Sequence, residues 1–118
     1  MLATILACGG SLASNSTYAG VWSGTFSNPT TSQTGTLAVE IDQGGAANGS
    51  GTNTTLGQSF VISGFIEEAG QINWAMSGGQ TGSFQGTLAI DGNGHLVGTV
   101  TQTVGSTSVD SNIDLTPQ

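Results

Sequence analysis

The residues of this 118-residue chain that could do chemistry are few. His95 is the only histidine and follows Asp91-Gly92-Asn93-Gly94. Asp91, Asn93 and His95 could together ligate calcium or a transition metal, since an Asp-x-Asn spacing supplies oxygens in calcium loops. A complete calcium loop needs more oxygens and a distal bidentate glutamate, and none follows. The competing reading is a hairpin turn, in which Asp-Gly and Asn-Gly supply the positive φ of a primed turn and leave the imidazole in solvent. The residues favour the turn, so no metal site is expected. Catalysis has little else to draw on. Without Lys or Arg there is no side-chain cation to stabilise an oxyanion, and His95 has no nearby partner of the triad sort. A two-carboxylate hydrolase needs one acid in an apolar pocket beside a second carboxylate. Glu40, Asp42, Asp110 and Asp114 alternate with apolar residues and are expected to face water, and Glu67 and Glu68 lie in a turn. The chain is not expected to be an enzyme, and no cofactor is implied.

The elements that position these residues are strands. Twenty glycines and only seven charged residues would suggest disorder if unpatterned, but aromatic and β-branched residues recur with a period of two. Eight strands are predicted between glycine-rich breaks. The first is Tyr18–Phe26, with Trp22 and Phe26 on one face. The second is Thr34–Gln43, with Leu37, Val39 and Ile41 inward and Ala38, Glu40 and Asp42 outward. Gly44 to Gly49 reads as a turn and Ser50–Leu56 as a weak third strand. Gln58–Ile66 carries large residues on both faces and leaves its register open. Gln71–Ser77 alternates Ile72, Trp74 and Met76 against polar neighbours. Gly82–Asp91 places Phe84, Leu88 and Ile90 inward. His95–Val104 places Leu96, Val100 and Val104 on one face, and Thr107–Thr116 does the same with Val109, Ile113 and Leu115.

Connections this short join sequential strands as antiparallel hairpins. The fold class is therefore all-β, an antiparallel eight-stranded up-and-down meander barrel, with a two-sheet β-sandwich as the alternative. Closure is favoured because an open meander so poor in charged guard residues would leave two unprotected edges. Closure also requires pairing between the first and last strands, around Val21 and Ile113. Gly35-Thr36-Leu37-Ala38-Val39-Glu40 echoes Gly86-Thr87-Leu88-Ala89-Ile90-Asp91, with Trp22 and Trp74 upstream of the respective copies. A duplicated four-strand half is the economical reading, and it predicts that both tryptophans point inward.

The only cysteine stands in Ile5-Leu6-Ala7-Cys8-Gly9. A short apolar run, a small residue and a cysteine resemble the lipobox of bacterial lipoproteins. In that family the signal peptidase cuts before the cysteine, which is then acylated. The resemblance divides the chain into a truncated signal remnant (1–7), a lipid-attachment cysteine with a polar tether (8–17) and one barrel domain (18–116). Signal peptides carry a basic n-region and about 7–15 apolar residues, so a longer leader than Met1–Ala7 is expected. A free thiol in a frayed terminus is the bland alternative. Gly9 stands where an aspartate would favour inner-membrane retention in that family, which implies an outer-membrane or cell-surface address. The formal charge of −7 without any Lys or Arg excludes nucleic-acid partners, which need cations to displace counterions. Anionic lipid headgroups would also repel this surface, so the membrane is reached through the lipid anchor.

Gly20-Val21-Trp22 in a first strand, followed by Ser23-Gly24-Thr25-Phe26, is similar to the calycins (lipocalins and avidins), and looks like the small calycin-like lipoproteins of bacterial envelopes. Lipocalins pack a late-strand arginine over that tryptophan, and this chain has no arginine. The avidin pattern uses a tyrosine on a following strand, whereas Tyr18 precedes the motif, so biotin binding is not implied. What the resemblance implies is topology from Tyr18 to Leu115.

Trp22, Phe26, Trp74, Met76 and Phe84 are the remaining constellation. They could line a cavity for a small apolar ligand, or simply fill the barrel. Inward glycines at Gly24, Gly86 and Gly98 would leave room for a ligand. Two functions stay open: a structural or interaction module at the envelope surface or in the periplasm, with an unknown surface partner, and a carrier of a small apolar ligand.

Overall fold

A computed structural model describes residues 16–118, which form a closed, antiparallel up-and-down barrel of eight strands with one short extra strand. The strands are β1 (Gly20–Asn28), β2 (Gln33–Ile41), β3 (Ala46–Asn53), β4 (Gln58–Ile66), β5 (Gln71–Gly78), β6 (Gly82–Thr87), β7 (Ala89–Ile90), β8 (Leu96–Val104) and β9 (Thr107–Pro117). The ring is closed by β9 against β1, with Ile113 opposite Phe26, Leu115 opposite Gly24 and Pro117 opposite Trp22. That ladder leaves no free long edge and excludes the sandwich.

Period-two alternation sets the core. Leu37, Val39 and Ile41 of β2 are buried while Ala38 and Glu40 are exposed. Each fully buried Leu, Ile or Phe side chain contributes about 1.5–3 kcal/mol, so one strand of this kind stabilises the ring substantially. The β4 register is resolved by Gly64: Phe60, Ile62 and Ile66 share its inward side, and Val61 and Phe65 point out. Both tryptophans are buried, as the repeat predicts. Their pairings differ, however. Trp22 lies opposite Val39, four residues past Gly35, whereas Trp74 lies opposite Phe84, two residues before Gly86. Most outward positions carry Ser, Thr, Asn, Gln, Asp or Glu, the reverse of the apolar band that a membrane-spanning barrel turns to lipid.

Several sequence expectations are corrected. The third strand is Ala46–Asn53 rather than Ser50–Leu56, and the turn before it ends at Gly45. Its glycines read as loop by composition, but Gly49 and Gly51 lie within the ladder, where the backbone of Ala38 and the ring of Phe60 occupy the space of a side chain. The first strand begins at Gly20 and runs on to Asn28, leaving Tyr18 before it. The predicted sixth strand is broken at Leu88 into β6 and β7. Ile90, expected inside, is 39% exposed, because β7 runs past the start of β5 and pairs with β8 alone. Val104 and Val109 are half-buried.

Inward glycines leave no room either. A Cβ at Gly24 would collide with the Asp114 carbonyl, one at Gly98 with the Thr87 carbonyl, and one at Gly86 would stand 2.9 Å from Val100. These positions let neighbouring strands approach closely and curve, a device by which small barrels close.

The turn at Asp91 is not a primed two-residue turn. Asp91 N–H donates to His95 O at 2.8 Å, Gly94 N–H donates to Asp91 O at 3.1 Å, and of these residues only Gly94 has positive φ (80°). This is a three-residue loop built on a type I turn with a left-handed glycine. Asp42–Ala46 repeats it with Gly45, and Glu67–Gln71 with Gly70. All three lie at the pole where the chain enters the barrel, called here the N-terminal pole.

Candidate functional site

Cys8, the expected lipidation residue, lies outside the described residues, as do the leader and the tether up to Asn15. Ser16 and Thr17 end that tether, and the barrel already holds Ser16, whose N–H donates to Gln43 O at 2.7 Å. Tyr18 follows as a plug for the N-terminal pole. It is buried, its hydroxyl donates to Glu68 O at 3.3 Å, and its own carbonyl accepts from Trp22 Nε1 at 2.8 Å.

Trp22, Phe26, Trp74, Met76 and Phe84 all point into the barrel and are buried. Phe26, Phe60 and Phe84 form a triangle of rings with centroids 5.8–6.1 Å apart and interplanar angles of 50–71°. Phe26 meets the other two rings edge to face, the contact that the quadrupoles of packed aromatic rings prefer, while Phe60 and Phe84 are tilted against each other. The sequence brings these residues together through alternation alone, and here they serve one another as core. Trp74 Nε1 is buried without a hydrogen-bond partner.

His95 meets a carboxylate that sequence spacing did not single out as its partner. Its Nδ1 lies 2.8 Å from Asp114 Oδ1, on β9, and both side chains remain accessible to solvent. Asp91 is turned to its own loop: Oδ1 accepts from His95 N–H at 3.0 Å and from Asn93 N–H at 2.9 Å. These backbone donors, that of His95 first, hold the Asp91 carboxyl below the usual carboxylate range. Asn93 takes part through its backbone N–H. Among the described residues no three His, Cys, Asp or Glu side chains come close enough to hold a metal ion. Glu40, Asp42, Glu67, Glu68, Asp110 and Asp114 are all exposed.

What the sequence reading missed lies at the opposite pole. Asn28 ends β1 and Gln102 lies near the end of β8, both in phase with the inward apolar residues before them. Asn28 Nδ2 donates to Gln102 Oε1 at 2.9 Å, and Gln102 Nε2 stands 3.9 Å from Met76 Sδ. Gln80, in the turn after β5, is buried beside them. With Thr31, Gln33, Leu56, Val104, Thr107 and Val109 these amides line a cavity of about 200 Å³, a mouth on top of the aromatic core. Asn28 Oδ1 and Gln80 Oε1 are buried and accept no hydrogen bond. Asn53, next to the mouth, is in contrast satisfied: Nδ2 donates to Gln33 Oε1 and Oδ1 accepts from Leu56 N–H, each at 3.1 Å. The legible signal was a polar residue in inward phase, and Asn28 and Gln102 both carry it.

Among protein-family models, curated proteins and solved structures, the chain has no match.

Proposed function

We propose that the chain is a non-enzymatic interaction module of the bacterial cell envelope, held at a membrane by lipid on Cys8. The observation that carries this reading is the opposition of the two poles. The chain enters the barrel at the N-terminal pole, where Ser16 is bonded to Gln43, and the mouth opens at the other end. Between Cys8 and Ser16 the backbone reaches at most about 30 Å. A lipid on Cys8 therefore turns the N-terminal pole to the membrane and presents the mouth away from it. The acidic surface supports attachment through the lipid itself, because anionic headgroups repel a body with formal charge −7 and no Lys or Arg. The close packing of the Phe26, Phe60 and Phe84 rings favours an interaction at the surface or mouth over an apolar cargo inside. Gly9 after the cysteine supports an outer-membrane address.

Fractionation tests the anchor. Cys8→Ser, expressed with a functional leader, is expected to move from the membrane to the soluble fraction, and unchanged membrane association would overturn the anchor. In the acylated protein, Thr55→Cys near the mouth is expected to react with a bulky maleimide faster than Gln43→Cys beside Ser16. Equal rates would overturn the orientation.

A further inference from the structure

The charge of the barrel is distributed unevenly. Of the seven acidic side chains, Glu40, Asp42, Glu67, Glu68, Asp91 and Asp114 lie in the half nearer the N-terminal pole, and Asp110 alone lies toward the mouth. No Lys or Arg offsets them. Strands β3, β4 and β5 carry no acid at all. On their outer face stand the two most exposed large apolar side chains among the described residues, Phe65 at 63% and Val61 at 55%. Both lie on β4, four residues or about 13 Å apart, with Ser63 midway between them. Single apolar residues scattered over a surface are ordinary, but two in line on one side of one strand make a patch.

The patch has a socket as well as a projection. Val61 lies opposite Ser50 and Ser77 in the two ladders that flank β4. Beside it runs a groove of about 360 Å³, whose lining includes those two serines, Ser59, and Gly51 and Gly78, which offer backbone only. A cavity of about 150 Å³ already accepts benzene, so the groove has room for the ring of a phenylalanine. Phe65 stands too far along the same strand to enter the groove of its own chain. The Phe65 ring of a second copy can enter it.

Charge fixes the direction of approach. With the two β4 strands running the same way, Glu67 and Glu68, which follow β4, would meet their own copies, and the acidic poles would lie together. With one β4 reversed, those carboxylates face the other end of the strand, where Gln58 and Ser59 begin it and the preceding turn holds no acid. A two-fold axis passing Ser63 at right angles to β4 gives this arrangement, and it brings Phe65 of each copy to the Val61 groove of the other. Such a contact is isologous and closes at two copies. The outer face of three strands measures about 15 Å by 25 Å, so each copy buries at most about 400 Å². Stable interfaces bury about 800 Å² per partner, and the pair is accordingly weak, with a dissociation constant of about 0.1–1 mM.

We propose that the uncharged face of β3, β4 and β5 pairs two copies of this chain in reversed orientation, the Phe65 ring of each seated beside Val61 of the other. This names a partner for the interaction module and rests on that reading only for its setting. Anchored neighbours on one membrane stand with their acidic poles side by side, whereas the reversed pair joins copies held on facing membranes. The pairing itself does not depend on the lipid, so its failure leaves the fractionation result standing.

The experiment uses the full chain with Cys8→Ser, which prevents cross-links through the native thiol. Sedimentation equilibrium from about 20 μM to 2 mM is expected to show monomer and dimer without larger species. Concentration-dependent ¹⁵N amide shifts are expected at Ser50, Val61, Phe65 and Ser77. Phe65→Ser, at an exposed position, is expected to keep a dispersed spectrum and weaken association at least tenfold. Ser63→Asp, which sets two carboxylates at the axis, is expected to abolish it, while Asn112→Asp on the outer face of β9, across the ring, adds the same charge without effect. The direction is read by oxidative cross-linking: a mixture of Glu67→Cys and Ser59→Cys chains is expected to link to each other faster than either links to itself. A chain that stays monomeric to 2 mM, undiminished association in Phe65→Ser, or faster self-linking of Glu67→Cys would overturn the proposal. A monomer whose same face shifts saturably with D-glucose or dodecylphosphocholine micelles would assign the face to another partner and overturn it too.

Discussion

Trp22 and Tyr18 are tied by a buried hydrogen bond, the indole N–H donating to the carbonyl four residues earlier at 2.8 Å. The bond makes one unit of the first inward side chain of β1 and the plug that closes its pole. Trp22→Phe keeps most of the ring but strands the Tyr18 carbonyl, and is expected to cost about 1–3 kcal/mol. Trp22→Ala and Trp74→Ala remove buried rings outright and are each expected to cost about 3–5 kcal/mol in urea unfolding. A loss below about 1 kcal/mol in either alanine variant would contradict the packing described above.

The Asp91 carboxylate accepts from the His95 and Asn93 N–H groups, and its pKa is lowered in the folded protein. A depressed acid contributes its stabilisation above the unfolded pKa and loses it as pH falls through the folded value. The Asn93 and His95 amide shifts are therefore expected to titrate with a midpoint below the ordinary aspartate value of about 3.9, and not to titrate there in Asp91→Asn. A midpoint at or above that value would remove the carboxylate from the turn.

His95 and Asp114 form an accessible ion pair when the imidazole is protonated. Pairs of this kind contribute little, so His95→Ala is expected to change stability by no more than about 0.5 kcal/mol. Stabilisation of the wild type by added calcium or zinc, lost in that variant, would revive the metal site set aside above.

Gly24 lies opposite Leu115 in the ladder between β1 and β9, and a Cβ there would strike the Asp114 carbonyl, which is backbone and cannot rotate away. Gly24→Ala is expected to cost about 2 kcal/mol or more by overpacking. Gly92 has open space around it, so Gly92→Ala is expected to stay within about 0.5 kcal/mol. Equal effects at the two sites in thermal unfolding would show that the ladder can relax there.

Ser111 is fully buried on β9, and its hydroxyl has no partner. An orphaned polar group carries a desolvation penalty of about 1–3 kcal/mol, so Ser111→Ala is expected to be neutral or stabilising by about 1 kcal/mol. Destabilisation beyond about 1 kcal/mol would mean that the hydroxyl has a partner, ordered water first among them.

Alternation made β2, β5 and β9 readable, because most of their inward residues are large and apolar, the buried Ser111 of β9 being an exception, and their outward ones mostly polar. It failed where backbone geometry, rather than side-chain type, decides. Ala46–Asn53 is a strand built mainly of small and polar residues, legible only once its neighbours press against it. The Asp91 turn carries two residue pairs that suit primed turns, but a side-chain bond from Asp91 stabilises a longer loop with one left-handed glycine. Ile90 keeps the apolar type of an inward residue and lacks a neighbour to cover it. The mouth was partly legible. Trp22, Gly24, Phe26 and Asn28 run in one phase, as do Leu96, Gly98, Val100 and Gln102, and an amide in such a series ends an apolar layer. That Gln80 joins them depends on a turn whose path no pattern specifies.

The ladder between β9 and β1 also governs how the chain comes to its shape. The other pairings join strands close along the sequence, whereas this one brings Pro117 to Trp22. Loop-closure entropy and contact order make such a distant pairing the slow step, and the meander can assemble as a curved ribbon before its ends meet. During that interval both outer strands bare their N–H and C=O groups, and the chain has no lysine to discourage edge pairing. The β1 edge of one ribbon is complementary to the β9 edge of another, so edge-to-edge pairing between chains competes with closure within one. Protein concentration during refolding, rather than sequence alone, then decides how much of each form is recovered.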